Sequence, residues 1–586
     1  MSAKDQIQKA VANVPIYRRS RDGSREIISR IGGGSLGGKA SGLAFIKDVL
    51  FKNLDMQEFP DFTINIPSLV VIGTDFFDIF MSENNLYDIA YSQDATDDRI
   101  AHAFMNGKLS MELTGDLRSL ISQINTPLAI RSSSLLEDAM YEPFAGVYGT
   151  KMIPNNQPDI DARFSLLIEA IKFVYSSVFF REAKAYIKAT KKDIQSEKMA
   201  VIIQEVVGLK HWERFYPHIA GVARSYNFYP TGHAQPEDGV VDLALGLGKT
   251  IVDGGQAWTY SPTFPKAVPP YNSIGDLLKQ TQTKFWAVNM GKPAVYDPIR
   301  ETEYMVESDL QVSEKDNTLK FLASTYIPAR DRISPGIGPD GPRLINFAPI
   351  LGDTQIPLNN LIKKVLTVCQ EAVGNPVEIE FAITLDDKKG LPARFGLLQV
   401  RPMVVSDAEV EVAEEELAEE DTLIASKNIM GNGIVDDIEH VVFVKPDVFN
   451  AANSQKIAYE IEGINRKLAN DGIPYLLIGF GRWGSSDPWL GIGVYWSQIS
   501  GAKVIVESTL PNMNVELSQG SHFFHNISSF QICYFSVHHE SKFPIKWEWF
   551  QNQETIEEAN FVKHVRLAKP LLVKVDGRTG KGVIKK

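Results

Sequence analysis

Apolar and polar residues alternate with a period of two through VEIEFAI. Val377, Ile379, Phe381 and Ile383 therefore fall on one face, and Glu378 and Glu380 on the other. A second run, LLQVRP, puts Leu398 and Val400 on the apolar side and Gln399 and Arg401 on the polar side. Turn-forming residues from Asp386 to Gly390 separate the runs, so Val377 to Met403 is predicted to be an antiparallel hairpin. Around it the period changes repeatedly. A glycine-rich loop, RIGGGSLGGK, opens into an amphipathic helix, and IPSLVVIG reads as a buried strand before another helix. Pro127 to Ile130 reads as a strand ending at Arg131, with three serines beyond it offering hydroxyls and exposed amides. A long helix is expected from Asp161 to Lys188, then the continuous apolar strand MAVIIQEVVG, and the helix LNNLIKKVLTVCQEAVG leads into the hairpin. Residues 263–345, with proline-rich turns, read as an insertion or covering loop.

After Pro402 the pattern breaks. SDAEVEVAEEELAEED is an acidic, low-complexity run read as a solvated linker or exposed helix. Beyond it HVVFVKP, YLLIGFG, AKVIVES, QICYFSV and PLLVKVD read as strands of a second region. The expected organisation is an N-terminal extension (1–30), a first domain (31–405), a linker (406–421) and a C-terminal domain (422–586). The fold class is α/β (α+β), with the second α/β domain the smaller.

Composition sharpens this modestly. A chain of 586 residues, 44% hydrophobic and 23% charged, suits two or three globular domains. A net charge of −12 argues against nucleic acid as the main partner, because phosphate backbones need a basic footprint. No apolar run approaches a membrane span, and the N-terminus lacks an apolar signal-peptide core. Cys369 and Cys533 lie far apart in apolar settings and read as reduced core thiols. A cytoplasmic protein is expected, with a homodimer as the candidate assembly.

The polar face of the hairpin carries the sharpest chemistry. Carboxylate and amide oxygens of Glu378, Glu380 and Gln399 suit a hard metal ion, and the fork of Arg401 suits phosphate oxygens. The competing reading is an ordinary polar sheet face with an internal salt bridge. The segment Gly33–Lys39 has the glycine and lysine spacing of a phosphate-binding loop, but Ala40 stands where that loop needs Ser or Thr.

Five stretches, GGKASGL (Gly37 to Leu43), AIRSSSLLEDAMYEPFAGVYGT (Ala129 to Thr150), MAVIIQEVVG (Met199 to Gly208), EIEFAI and LLQVRP, resemble the ATP-binding domain of phosphoenolpyruvate synthase and pyruvate phosphate dikinase. Rifampin phosphotransferase shares this ATP-grasp domain, and the likeness covers about residues 25–405. The resemblance implies an ATP-dependent, magnesium-dependent phosphotransferase of kinase type. In it Lys39, Arg131 and Arg401 neutralise the polyphosphate, and Glu380 and Gln399 hold magnesium with Glu378 in support. The Phe144-Ala145-Gly146 loop closes over the triphosphate, Glu137 and Asp138 orient Arg131, and backbone around Gln204, Glu205 and Val206 reads the adenine edge. There is one departure. Family members commonly carry glutamate after GLG, and here Lys249 stands there.

The last third lies outside the resemblance. The family's swivelling phosphohistidine domain and barrel domain have no counterpart in these residues. SQGSHFFHNIS offers His522 and His525, and GFGRWGSSDPWLGIGV reads as a ligand loop. The acceptor is thus a histidine such as His522 or a small molecule. A nucleotide-sensing regulatory protein built on a degenerate domain is the alternative, and an ATP-dependent ligase a third.

Overall fold

A computed structural model describes residues 3–19, 26–135, 147–189, 193–228, 230, 233–253, 255–267, 274–292, 294–338, 341–352, 356–385, 393–403, 410–485, 487–513, 515 and 532–586. The chain divides into two compact units. The first is made of Met1–Tyr226, Glu237–Ile251 and Gly255–Met403, and the second of Val404–Lys586 with Asn227–Pro236 and Val252–Gly254.

The first unit is built on two larger sheets. One has five strands in the order Ile28–Ile31, Leu69–Ile72, Met199–Glu205, Leu128–Ser134, Thr150–Ile153. The other has six, in the order Trp258–Tyr260, Val240–Ala244, Ile219–Arg224, Val377–Thr384, Ala393–Pro402, Phe62–Asn65. The hairpin is central in this second sheet. Its strands pair antiparallel with Glu378 opposite Arg401 and Glu380 opposite Gln399. The ladder then shifts, since Phe381 faces Leu397 and Leu398 is the extra residue of a β-bulge. The apolar face buries Val377, Ile379, Phe381, Phe395 and Leu397 against the helices Gly37–Asn53 and Leu358–Val373. The Asp386–Gly390 turn lies outside the described residues.

Several expectations need correction. The strand at Arg131 continues to Ser134, and its three serines are buried, because their neighbours in the fold take up their hydroxyls. The long helix is two, Ile160–Ser177 and Arg181–Ala189, separated at Val178–Phe180. Residues 263–345 are no covering loop. Lys284–Asn289 and Met305–Asp309 join a four-stranded sheet with Leu209–His211 and Arg214–Tyr216, and Ala323–Ile327, Arg332–Pro335 and Arg343–Ile345 form a further three-stranded sheet. A buried ion pair, Lys151 to Glu303 at 2.6 Å, ties this region to the five-stranded sheet, and Lys151 also donates to the Pro298 carbonyl.

The second unit holds a nine-stranded sheet. At its centre Gly433–Val444, Tyr475–Phe480, Ala502–Ser508 and Cys533–Val537 run parallel in sequence order. The amphipathic helix Ser454–Asn470 connects the first two, as parallel pairing requires a crossover. Val562–Asp576 pairs antiparallel on the other side of Gly433–Val444. The acidic run is less solvated than expected. Val412 and Leu417 pack on Ala425 and Val583, and Glu416 accepts hydrogen bonds from Lys574, which removes the self-repulsion that favours an open linker. Both cysteines are buried free thiols; burial pushes Cys369 up to about 12 and Cys533 to about 11, where neither is a thiolate at neutral pH.

Candidate functional site

The site begins where the serine strand meets the glycine-rich loop. Ser133 Oγ donates to the Leu36 carbonyl at 2.8 Å and accepts from the Ala40 amide at 3.1 Å, so it caps the start of the Gly37–Asn53 helix. Gly37 has φ +74°, and a Cβ there would lie 1.7 Å from the Ser133 carbonyl oxygen, so only glycine permits this approach. Lys39, in the first helical turn, is brought to Ser132, to which its Nζ donates at 3.3 Å. Arg131 is the next residue along the strand. The sequence reading expected these serines beyond the strand, offering hydroxyls and exposed amides; here they join loop to sheet.

Arg131 then reaches the hairpin of the six-stranded sheet. Its Nη2 donates to Gln399 Oε1 at 2.6 Å and to Glu380 Oε2 at 3.3 Å. Its Nη1 donates to the Leu398 carbonyl at 3.0 Å and to Gln204 Oε1 at 3.3 Å. The bulge explains the carbonyl. The extra residue turns Leu398's oxygen toward the polar face instead of into the ladder. Lys39, Arg131, Gln204, Glu380 and Gln399 are thus linked through four strands and one helix end.

Arg401 is held differently. Its Nε donates to Glu378 Oε1 at 2.8 Å, and its Nη2 donates to the same oxygen. Glu378, fully buried, also accepts from Arg224 Nε at 2.7 Å. Arg224 Nη1 donates to Asp242 Oδ2 at 2.9 Å, and Thr259 Oγ1 to Asp242 Oδ1 at 2.6 Å. A ladder of alternating charge therefore crosses neighbouring strands as Arg401, Glu378, Arg224, Asp242. Burial opposes the charge on Arg224, but Glu378 and Asp242 outweigh it and raise its pKa above the ordinary value. Sequence reasoning missed Arg224 and Asp242. The signal was there: a lone aspartate inside VVDLALG and an arginine closing IAGVAR are charges in otherwise apolar strands.

At the expected adenine stretch, Glu205 N donates to the Ser68 carbonyl and Val206 N to the Pro127 carbonyl. Both amides are committed to the sheet, so a base edge here has to use carbonyl groups or backbone beyond Val206. The Glu205 carboxylate accepts from Thr126 Oγ1 at 2.8 Å. Gly146, with Glu137, Asp138, Phe144 and Ala145, lies outside the described residues, as do His522 and His525. Lys249 begins the short helix Lys249–Val252 after the GLG turn.

Among the described residues no group of three or more His, Cys, Asp or Glu is placed to hold a metal. The Glu380 carboxylate and Gln399 amide oxygen nevertheless converge on one cation, the Arg131 guanidinium. Two hard oxygen donors fit magnesium, which commonly takes one or two protein ligands and completes its shell with water and phosphate.

Fold and site together define an ATP-grasp-like nucleotide-binding domain. The profile of the pyruvate phosphate dikinase AMP/ATP-binding domain matches residues 34–422, and the chain belongs to that family. It is also similar to a phosphoenolpyruvate synthase from Aeropyrum pernix, 23% identical over 309 residues, which is 52% of this chain and 32% of that protein. The chain therefore aligns with about a third of the relative's length. No described helix is long and apolar enough to cross a membrane.

Proposed function

We propose that the chain is a magnesium-dependent ATP phosphotransferase whose nucleotide site lies in the domain spanning residues 31–405. In this reading Lys39, Arg131 and Arg401 balance the polyphosphate charge and Glu380 and Gln399 hold the metal. Glu378 fixes Arg401, with Arg224 and Asp242 behind it, and the Gly146 loop belongs over the triphosphate. Magnesium, when bound, would draw charge from the transferring phosphoryl group. The protein's own part is positioning and charge complementarity in a partly dry site.

The observation that carries the reading is Arg131. From the five-stranded sheet it donates to Glu380 and Gln399 of the six-stranded sheet. A cation, two hard donors and a lysine held on Ser132, the strand residue next to Arg131, form the set a metal–polyphosphate needs. The reading places the work in the cytoplasm, with a histidine such as His522 or a small molecule as acceptor.

One observation favours a second reading, a nucleotide sensor without turnover. Glu378, Glu380 and Gln399 each already accept from an arginine. Incubation with magnesium and ATP labelled at the β- or γ-phosphate, followed by nucleotide chromatography, separates the two. AMP with an acid-labile, base-stable label on the protein means a phosphohistidine dikinase. ADP without labelled protein means kinase, ligase or hydrolase chemistry. Binding with no nucleotide consumed in the presence of candidate acceptors overturns the enzyme in favour of the sensor.

A further inference from the structure

The two arginines of the hairpin face are held in unlike ways. Arg401 is 3% exposed and donates from Nε and Nη2 to one oxygen of a fully buried carboxylate. Arg131 is 13% exposed, and among the described residues its anionic partner is Glu380, 18% exposed at 3.3 Å. Its other acceptors, Gln399, Gln204 and the Leu398 carbonyl, are neutral. A charge-assisted pair shielded from water is stronger than a longer, partly exposed one, so Arg401 is fixed and Arg131 is exchangeable. Moreover, Glu380 Oε2 and Gln399 Oε1 both accept from a single atom, Arg131 Nη2. That nitrogen stands where the two donors converge.

We propose that Arg131 is the specificity-determining residue of the metal site, an internal cation that occupies the Glu380–Gln399 donor pair until a metal–polyphosphate displaces it. This rests on the assignment of Glu380 and Gln399 as metal donors given above. Free divalent ions must evict the guanidinium and leave it with no anion in exchange. A metal arriving on a polyphosphate brings that anion with it, and the displaced fork gains phosphate oxygens in place of one carboxylate and an amide. The site thereby discriminates a metal–nucleotide complex from the bare ion by a repulsive element as well as an attractive one. Entry of the metal and delivery of Arg131 to phosphate become one exchange. No bond is made or broken in it.

The test is Mn2+ binding to the full chain, read from the free-ion signal in electron paramagnetic resonance, with and without ATP. Wild type should bind Mn2+ weakly alone and more tightly with ATP. Without nucleotide, Arg131→Met should bind Mn2+ about tenfold more tightly, because a competing occupant lowers apparent affinity by the fraction of vacant sites. Arg131→Lys, which keeps the charge but loses the fork, should gain partway and serves where the methionine variant fails to fold. Adding Glu380→Gln to Arg131→Met should abolish the gain. The inference falls if Mn2+ affinity is unchanged in both Arg131 variants. It also falls if the gain survives Glu380→Gln, or if Lys39→Met gives an equal gain and so reveals a general charge effect. Failure of wild type to bind Mn2+ with ATP would instead overturn the proposed function itself.

Discussion

The six-stranded sheet of the first unit and the nine-stranded sheet of the second both bury ionisable side chains, with opposite chemistry. The first opposes Arg224 and Arg401 to Glu378 and Asp242, and its Glu380 meets Arg131 of the five-stranded sheet. Guanidinium groups stay charged at any ordinary pH, so this lattice presents a constant field across neutrality. The second sheet carries a histidine pair, His440 Nδ1 and His564 Nε2 2.9 Å apart on the adjacent strands Gly433–Val444 and Val562–Asp576. It also carries lysine–glutamate bonds to Glu416. The contrast teaches where ionisation is a tool of recognition and where it is a feature of stability. In the proposed reading the polyphosphate meets guanidinium groups, which stay charged across neutrality. The sheet with no assigned ligand tolerates groups that do.

The largest effect that would break this comparison is on turnover. Glu380→Ala should lower magnesium-dependent ATP consumption by about two to three orders of magnitude, the scale of losing one preorganised electrostatic contact. His440→Gln should leave it unchanged. A comparable loss from the histidine variant would put catalytic chemistry in the second sheet and erase the distinction.

Next comes the stability of the charged ladder. Arg224→Met strands Glu378 and Asp242 as buried, half-compensated carboxylates, and should cost about 3 kcal/mol in denaturant unfolding of the first unit. Combining it with Asp242→Asn should restore part of that loss, since the unpaired charge is the main penalty. If Arg224→Met alone is neutral, the ladder is ornamental and Arg401 is held by Glu378 without help.

The third prediction concerns pH. Burial, then the neighbouring His440, depresses His564 to about 4 from its usual 6.5. Below the unfolded value the unfolded chain takes up a proton that the folded histidine refuses. Stability of the second sheet should therefore be full above pH 6.5 and fall as pH drops toward 4, by about 3 kcal/mol in all. Hydrogen exchange in Val562–Asp576 should accelerate over that window while Ile219–Arg224 holds its protection. His564→Gln should flatten the response. Equal acid sensitivity in both strands would mean that the two sheets do not differ in this way.

Much of the first unit was legible from period alone. The alternation in VEIEFAI put Glu378 and Glu380 on one face, and the pairing with Arg401 and Gln399 followed from antiparallel register. Three things were not legible. The bulge at Leu398 depends on tertiary pairing, and it alone turns that carbonyl toward Arg131. Arg224 and Asp242 are far apart from the hairpin in sequence, so their partners appear only when Ile219–Arg224 is laid beside Val377–Thr384. The sheets within 263–345 hide behind prolines and turns because their short strands are held by neighbours such as Arg214–Tyr216 rather than by their own pattern. The acidic run misled for a related reason: charge density suggests solvent until the lysines that neutralise it are known.

Those lysines give the smallest and most local test. Glu416 is partly buried, which alone would raise its pKa, yet hydrogen bonds from Lys574, Lys585 and the Ala413 amide hold it down to about 2. A carboxylate depressed on folding stabilises the fold above its unfolded value of about 4.5 and loses that contribution as pH falls toward 2. Its acid limb thus lies below that of His564, and the two should separate in a titration. Glu416→Gln keeps the shape and removes the charge, and should cost about 1 kcal/mol at neutral pH, because the lysines keep other partners and water screens part of the pair. The loss should disappear near pH 2 and leave the limb between 6.5 and 4 intact. If Glu416→Gln moves the upper limb instead, the acidic run and the histidine pair are coupled, and the second sheet is a single titrating lattice, unlike the arginine ladder of the first unit.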